Sequence, residues 1–135
     1  MYTNILVPVL LDDNHDTAGA YDIAKELAAE DAQFHVVHVM EPIPQFAVTH
    51  IPDAVLSETR EAVHTALLSS AEALPGATTA MVNGHPGTAI VDYAKEHEVD
   101  CIIIASHKPG LEDFFLGSTA ARVVRHAKCP VHVIR

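Results

Sequence analysis

Apolar residues along this chain alternate between continuous runs and helical stripes. The runs are rich in branched side chains, as in strands buried on both faces, and they predict five strands at residues 5–10, 34–40, 78–82, 100–105 and 131–134. Apolar positions spaced three and four apart predict four helices, at residues 20–31, 55–67, 89–94 and from 118 onward. His35 and His38 interrupt the second strand and are expected to point to its opposite faces, because side-chain direction alternates along a strand.

The alternation of strands and helices indicates the fold class. Right-handed crossovers between parallel strands each carry a helix across the sheet, so the pattern predicts an α/β fold with helices on both faces of a parallel sheet. With 135 residues, 49% of them hydrophobic, the chain is expected to form one domain over residues 1–135. Residues 41–52 include three prolines and are predicted to be irregular, with a mobile flap over a site as one interpretation.

The charge balance argues against two classes of partner. Eight Lys and Arg against eighteen Asp and Glu give a formal net charge of -10, which disfavours nucleic acids and anionic membrane surfaces. The N-terminus lacks a basic region followed by a long apolar run, and no segment approaches the roughly 20 apolar residues of a membrane span. A cytoplasmic location is therefore expected.

The segment after the fourth predicted strand carries the most specific chemistry. A polar loop leads to Gly117, Ser118 and Thr119, which open the last predicted helix. A helix N-terminus presents unpaired N–H groups and a partial positive charge, so this opening suits a phosphate. Ser and Thr near a helix start are also common capping residues, which is the structural alternative. Ligands of open parallel sheets bind beyond the carboxyl ends of the strands, which makes the loops after Leu10 and Ala105 candidates.

Other residue types do not indicate catalysis or metal binding. The ten histidines show no zinc-type spacing with cysteine or carboxylate, so no metal site is predicted. Cys101 and Cys129 are expected to be reduced thiols, with a redox-dependent bridge between neighbouring strands as the alternative. The sequence has no Gly-x-Ser-x-Gly elbow and no Walker-type Gly-Lys-Ser/Thr, so no catalytic residues are assigned and an efficient enzyme is not expected.

Four segments together resemble the universal stress protein family: Ile-Leu-Val-Pro-Val at 5–9, Val-Val-His-Val at 36–39, Asn-Gly-His-Pro at 83–86, and the chain from Ile102 to its end. The Ala-Ser-His-Lys-Pro form within the last segment is similar to the small bacterial single-domain members. The resemblance implies a Rossmann-like fold of the adenine nucleotide alpha hydrolase type, with strand order 3-2-1-4-5. It also implies ATP or AMP as ligand, with or without Mg²⁺, a role in stress response, and a cytoplasmic homodimer joined through the C-terminal strand.

The resemblance also implies a nucleotide site made of three separate segments. Residues at the ends of the first two predicted strands are similar to the family's adenine contacts, and the loop and helix opening within the last of the four segments are similar to its phosphate-binding loop. The implied nucleotide-binding residues are Pro8, Val9, Val39, Ile104, Ala105, Ser106, His107, Lys108, Gly117, Ser118 and Thr119.

The chain departs from the family's phosphate loop, which has the form G-x-x-G-x9-G-S/T. Only the final Gly117-Ser118 is retained, the loop is one residue shorter, and Ala105 and Lys108 stand at the other two glycine positions. Leu10 stands where nucleotide-binding members usually carry Asp, although the carboxylates at 12–13 are close to it in sequence. Lys108 offers an ammonium charge in place of a backbone cradle.

Three functional hypotheses follow. The first is a nucleotide-binding regulatory or protective module of the stress response. The second is an interaction protein of the same fold that has lost nucleotide binding, which the departures at Leu10, Ala105 and Lys108 would permit. The third is a slow ATP hydrolase or autokinase in which Ser118 or Thr119 accepts the phosphate.

Overall fold

Strands and helices alternate along the chain in a computed structural model that describes residues 1–11, 15–106 and 116–135. The strands are β1 (Tyr2–Pro8), β2 (Ala28–Met40), β3 (Thr78–Asn83), β4 (Cys101–Ala105) and β5 (Val131–Ile134). The helices are α1 (Thr17–Leu27), α2 (Gln45–Val48), α3 (Asp53–Ala71), α4 (Pro86–Glu96) and α5 (Ser118–His126). The strands pair in parallel in the order β3-β2-β1-β4-β5, which confirms the predicted sheet.

Both faces of the sheet are covered. The central strand β1 buries Ile5, Leu6 and Val7 completely, as its continuous apolar run predicted. Ile5 and Val7 belong to a core that includes side chains of α1 and α3, whereas Leu6 belongs to a core that includes side chains of α4 and α5. The sheet is therefore the middle layer of three, and its carboxyl edge is where the helices α1, α4 and α5 begin.

The boundary between α1 and β2 differs from the prediction. The helix ends at Leu27 and not near residue 31, and β2 begins at Ala28 and not at Phe34. Ala28 pairs with Tyr2 of β1, so the chain leaves the helix early to reach the sheet. The register then shifts, and regular pairing resumes where Asn4 meets Gln33, close to the predicted start.

The ends of β1 also differ from the predicted range of 5–10. The strand begins at Tyr2 because Asp100 accepts hydrogen bonds from the Thr3 and Asn4 amides at 2.9 and 3.0 Å. It ends at Pro8, and the chain turns at Leu11, whose φ of 59° lies in the left-handed region. A run of apolar residues does not reveal such a turn.

The proline-containing segment 41–52 is not wholly irregular. Pro44 precedes the short helix α2, and its carbonyl oxygen accepts from the amides of Ala47 and Val48 at 2.9 and 3.1 Å. Proline suits this position, because the amide it lacks has no partner inside a helix start. Phe46 in α2 is 76% exposed. A mobile flap formed by this segment stays a prediction.

The amino end of the sheet is closed by a network of polar side chains. Asn4 donates its Nδ2 to the carbonyl oxygens of His97 and Glu98 at 2.6 and 3.1 Å, which leaves its Oδ1 to accept from His35 Nε2 at 2.7 Å. The other ring nitrogen of His35, Nδ1, then accepts from the Tyr93 hydroxyl at 2.9 Å. These bonds satisfy a neutral imidazole with its proton on Nε2.

Burial lowers the pKa of His35, and the nearby His97 lowers it further. Burial also raises the pKa of Tyr93. At Asp100 burial opposes ionisation, but hydrogen bonds from Thr3 and Asn4 outweigh it and lower the pKa of this carboxyl group. The network is therefore built around a neutral histidine and an ionised aspartate.

The predicted directions of the histidines are confirmed, and no disulfide joins the cysteines. His35 contacts Tyr93 of α4, whereas His38 Nδ1 lies 2.8 Å from the Val9 carbonyl oxygen. Cys101 and Cys129 are both free thiols, and they pack against the cores on opposite faces of the sheet. Burial raises the pKa of the Cys101 thiol to about 11, with smaller contributions from Cys129 and Asp100. The bridge considered above is absent.

Candidate functional site

A cavity of about 280 Å³ lies at the carboxyl edge of the sheet, where β1 and β4 end. This is the location expected for ligands of a doubly wound sheet, because the chain crosses to opposite faces from these two strands. Three helices begin beside the cavity. Its lining residues are Pro8, Val9, Leu10, His15, Thr17, Ala20, Val37, Val39, Pro86, Ile90, Ile104, Ala105, Ser106, Gly117, Ser118, Thr119 and Ala120.

Every sequence-predicted site residue that the structure describes lines this cavity. Pro8 ends β1 and Val9 follows it, Val39 comes from β2, residues 104–105 end β4 with Ser106 directly after it, and residues 117–119 are the N-cap and first residues of α5. The predicted residues His107 and Lys108 lie outside the described residues, as do the carboxylates at 12–13. The fold thus brings together segments that are up to about a hundred residues apart in the chain.

Two elements of the lining were not predicted. The start of α1 contributes His15, Thr17 and Ala20, and the start of α4 contributes Pro86 and Ile90. The start of α4 at this edge could have been predicted from the Asn-Gly-His-Pro segment, because it places a proline at the first helical position after a strand. The polar segment after the first strand indicated less clearly that the start of α1 lines the cavity.

The alternation of side-chain directions along β2 could also have been used to predict Val37 as a lining residue. Val37 lies on the same face as Val39, since residues two apart on a strand share a face, and both line the cavity. Ala120, which follows Thr119 in the first turn of α5, also lines the cavity and could not be predicted. Its side chain carries no chemistry that points to a ligand.

The start of α5 presents backbone donors to the cavity. Ala121 N–H makes the first helical bond, to the Gly117 carbonyl oxygen at 2.8 Å, so the amides of Ser118, Thr119 and Ala120 precede the first residue with a helical partner. Gly117 is the N-cap residue and makes no side-chain capping bond. The alternative in which Ser118 or Thr119 acts as the cap is therefore wrong, because both lie inside the helix.

Gly117 does not need the conformational freedom of glycine. Its φ of −56° and ψ of 150° are open to any residue. Gly117 lines the cavity, and a residue without a side chain at this position allows a ligand to approach the backbone closely.

Ser106 links the two main walls of the site. Its side chain is buried, and its Oγ accepts from the Gly117 amide at 3.2 Å, which ties the end of β4 to the start of α5. Its own amide donates to the Ile134 carbonyl oxygen of β5 at 2.7 Å. The position of the α5 N-terminus is thus fixed to the sheet on this side.

A close contact between two helices fixes α5 on the other side. A Cβ atom on Gly87 of α4 would lie 2.7 Å from Cδ of Arg122. Arg122 also donates its Nε to Thr88 Oγ1 at 3.1 Å. Arg122 therefore packs α5 against α4 and is not among the residues that line the cavity.

Apart from His15 and Thr17, the remaining walls of the cavity are apolar. Val9, Ile90 and Ile104 are almost completely buried and belong to the core or lie at its edge. Among the described lining residues there is no Asp, Glu, Lys or Arg. Within the same described ranges, no group of three or more metal-ligating side chains comes together. The described part of the site therefore offers apolar surface, hydroxyls, the His15 imidazole and backbone amides.

The described helices include none that is long and apolar enough to cross a lipid bilayer.

Solved structures with this fold include nucleotide complexes. The universal stress protein from Archaeoglobus fulgidus in complex with dAMP superposes with a TM-score of 0.67 at 22% identity, covering 99% of this chain and 98% of that chain. A universal stress protein family protein from Arabidopsis thaliana with AMP bound gives a TM-score of 0.62 at 20% identity, covering 98% and 90%. At these identities the likeness establishes the shared fold.

Comparisons at higher identity cover the whole chain. The hypothetical protein MJ0577 superposes with a TM-score of 0.80 at 26% identity, covering 99% of this chain and 96% of that chain. Universal stress protein MJ0531 of Methanocaldococcus jannaschii is 30% identical over 144 aligned positions, which include 100% of this chain and 83% of that protein. The model of the universal stress protein family matches residues 1–135. On these grounds the chain belongs to the universal stress protein family.

Proposed function

We propose that this protein binds an adenine nucleotide, AMP or ATP, in the cavity at the carboxyl edge of the sheet, and that it acts as a regulatory or protective module of the stress response in the cytoplasm. The observation that carries the proposal is the convergence of Val9, Val39 and the start of α5 on one cavity. These segments supply an apolar surface and an anion-binding surface side by side. The nucleotide complexes of proteins with the same fold support the choice of ligand.

The phosphate group would lie at the start of α5. Backbone amides that precede the first helical bond can donate to phosphate oxygens, and the partial positive charge of the helix N-terminus favours an anion there. The hydroxyls of Ser118 and Thr119 line the same part of the cavity and can add two further bonds. Among the described lining residues, which include no lysine or arginine, these groups and the His15 imidazole are the donors that a phosphate could meet.

The adenine base would lie against the apolar walls. Val9, Val39, Ile90 and Ile104 present branched side chains, which give a base a flat apolar environment without competing hydrogen bonds. Leu10 also lines the cavity and is 39% exposed. Where the family usually has a carboxylate, this chain therefore has an apolar contact, so binding would depend more on burial of the base than on polar contacts to the ribose.

Isothermal titration calorimetry of AMP and Mg-ATP into protein stripped of endogenous ligand tests the proposal. We expect saturable binding to the native protein and a loss of at least about 100-fold in affinity for Gly117→Asp, since a carboxylate beside the phosphate adds like-charge repulsion. Gly117→Asn is the matched control, because it has nearly the same shape and no charge, and we expect a smaller loss. Binding that survives both Gly117→Asp and Ser118→Ala would remove the assigned site.

A second candidate function is that of an interaction protein without nucleotide binding. An exposed apolar surface favours it: Ile43, Phe46 and Val48 around α2 and Val55 at the start of α3 are 42%, 76%, 37% and 48% exposed. Exposed apolar groups gathered in one segment are typical of contact surfaces. This candidate predicts no heat of binding at millimolar AMP or Mg-ATP.

We further propose that the protein is a homodimer joined through β5. This strand lies at one edge of the sheet, and within the described residues its pairing partner is β4. Unpaired strand edges tend to be covered, and Val131–Ile134 presents partly exposed apolar side chains beside its free edge. Sedimentation equilibrium is expected to give twice the chain mass, and a monomer at high concentration would contradict the dimer.

A further inference from the structure

The exit of β1 is held by a histidine on the neighbouring strand. His38 Nδ1 lies 2.8 Å from the carbonyl oxygen of Val9. A carbonyl oxygen only accepts, so the ring nitrogen must donate, and His38 carries its proton on Nδ1. The Val9 amide donates in turn to the Val37 carbonyl oxygen at 2.8 Å. Both polar backbone groups of Val9 are therefore engaged by β2.

The residues that follow explain why such a restraint matters. Val9 is 4% exposed, and both Val9 and Leu10 line the cavity, so the segment directly after β1 forms one wall of the site. Leu11 then adopts a φ of 59°, a conformation that costs a residue with a Cβ roughly 1–2 kcal/mol. A chain that carries this strain relaxes unless the residues beside it are held. A buried carbonyl without a partner would add to the tendency of the wall to rearrange.

We propose that His38 is a positioning residue of the nucleotide site: by donating to the Val9 carbonyl it fixes the exit of β1 and keeps Val9 and Leu10 in place as one wall of the cavity. This inference rests on the proposed function for its effect on affinity. The effect of His38 on the position of Val9 and Leu10 needs no ligand and can be measured in the free protein. His38 is not among the residues that line the cavity, so it acts through Val9 and not by contact with the ligand.

Two variants separate the hydrogen bond from simple packing. His38→Ala removes the donor, whereas His38→Asn places an amide nitrogen on Cγ, where the imidazole carries Nδ1, and can restore the bond. His64→Ala is the control, since His64 is an exposed histidine on α3 that does not line the cavity. A role confined to folding stability would change the melting temperature of His38→Ala without a site-specific effect that Asn reverses.

The first measurement is amide hydrogen exchange of the free protein, followed by NMR. We expect His38→Ala to speed exchange of the Val9 amide about tenfold or more, with Leu6 and Ile103 unchanged, and His38→Asn to restore the protection. Native-like protection of Val9 in His38→Ala would overturn the proposal. So would equal acceleration in the Asn variant, because the donor would then have no role.

The second measurement is AMP affinity at a temperature where all variants are folded. We expect about a tenfold loss for His38→Ala, recovery to within about twofold for His38→Asn, and no change for His64→Ala. If the native protein binds AMP and His38→Ala binds it equally well, the positioning role is wrong. If the native protein binds no nucleotide, the proposed function fails, and the exchange measurement alone decides whether His38 fixes this wall.

Discussion

The two edges of the sheet are built in opposite ways. At the amino edge, Asn4 and His35 form a closed network in which each hydrogen bond defines the next. At the carboxyl edge, the amides at the start of α5 face a cavity, and Leu11 is held in a left-handed conformation. One edge satisfies its polar groups internally and contributes to stability. At the other edge, the amides of residues 118–120 precede the first helical bond of α5, which is the arrangement that suits an anionic ligand.

Asn4→Leu is expected to give the largest effect and to act on stability alone. The substitution leaves the His35 Nε2–H without its acceptor, and a buried polar group left without a partner costs about 1–3 kcal/mol. The bonds to the exposed carbonyls of His97 and Glu98 are also lost, but water can replace them. We expect a loss of about 2–3 kcal/mol in the free energy of unfolding, measured with urea. AMP affinity of the folded variant should be unchanged, and a parallel loss of affinity would show that the edges are not independent.

Gly87→Ala should affect both stability and binding. Its Cβ would come within 2.7–3.0 Å of three Arg122 side-chain carbons, so α4 and α5 must move apart. Overpacking of this kind costs about 1–3 kcal/mol. Because α5 carries the amides that face the cavity, we expect weaker AMP binding together with a lower free energy of unfolding. The double variant Gly87→Ala/Arg122→Ala, in which the opposing side chain is shorter, should recover part of the AMP affinity and part of the free energy of unfolding. Native values of both quantities in Gly87→Ala alone would contradict the close contact between Gly87 and Arg122.

The amino edge should also make stability depend on pH. The pKa of His35 is lower in the folded protein than in the unfolded chain, so the unfolded chain binds more protons between the two values. The free energy of unfolding should therefore fall as the pH decreases from about 6.5, the ordinary histidine pKa, through the folded-state value. His35→Gln removes this titration and should flatten the dependence. Equal slopes for the two proteins in urea unfolding would exclude His35 as the cause.

Loss of the stability contributed by Asp100 should occur at lower pH. Its carboxyl pKa lies below the ordinary 3.8 in the folded protein, so that contribution is present above this value and is lost as the pH falls through the folded-state pKa. The two transitions can be distinguished by their pH ranges.

Substitution of Leu11, at the carboxyl edge, is expected to have the smallest effect on stability. Leu11→Ala removes the side chain and keeps the cost of a positive φ, whereas Leu11→Gly removes both. We expect the Gly variant to be more stable than the Ala variant by up to about 1 kcal/mol, which reverses their usual order. A more stable Ala variant would show that Leu11 does not hold this conformation in solution.

Local patterns were sufficient to predict the main elements and the start of α5 in the cavity lining, whereas Pro8, Val9 and Val39 were expected only from the family resemblance. The continuous run at 102–104 and the Gly-Ser-Thr opening at 117–119 depend on neighbours in sequence, so the strand, the helix and their shared site could be expected. The early end of α1 at Leu27 could not, because it depends on pairing between Ala28 and Tyr2, which are far apart in the chain.

Hydrogen bonds between polar groups that are far apart in the chain could not be predicted either. Nothing near Asn4 in sequence indicates that its side chain reaches His35 and the end of α4, and nothing near Val9 indicates the bond from His38. These contacts arise only when the sheet sets the register of β1 against β2. Sequence patterns therefore predicted the surfaces that face the ligand site better than the contacts that hold those surfaces in place.

An NMR titration of the isotope-labelled protein with AMP tests most directly whether a nucleotide binds at the carboxyl edge with its phosphate at α5. We expect the amide signals of Val9, Gly117, Ser118 and Thr119 to shift, and those of Asn4 and other amino-edge residues to stay. Adenosine, which lacks the phosphate, should shift Val9 but leave the α5 amides nearly unchanged. Unchanged α5 signals at saturating AMP, or no shifts at millimolar AMP, would contradict the proposed site.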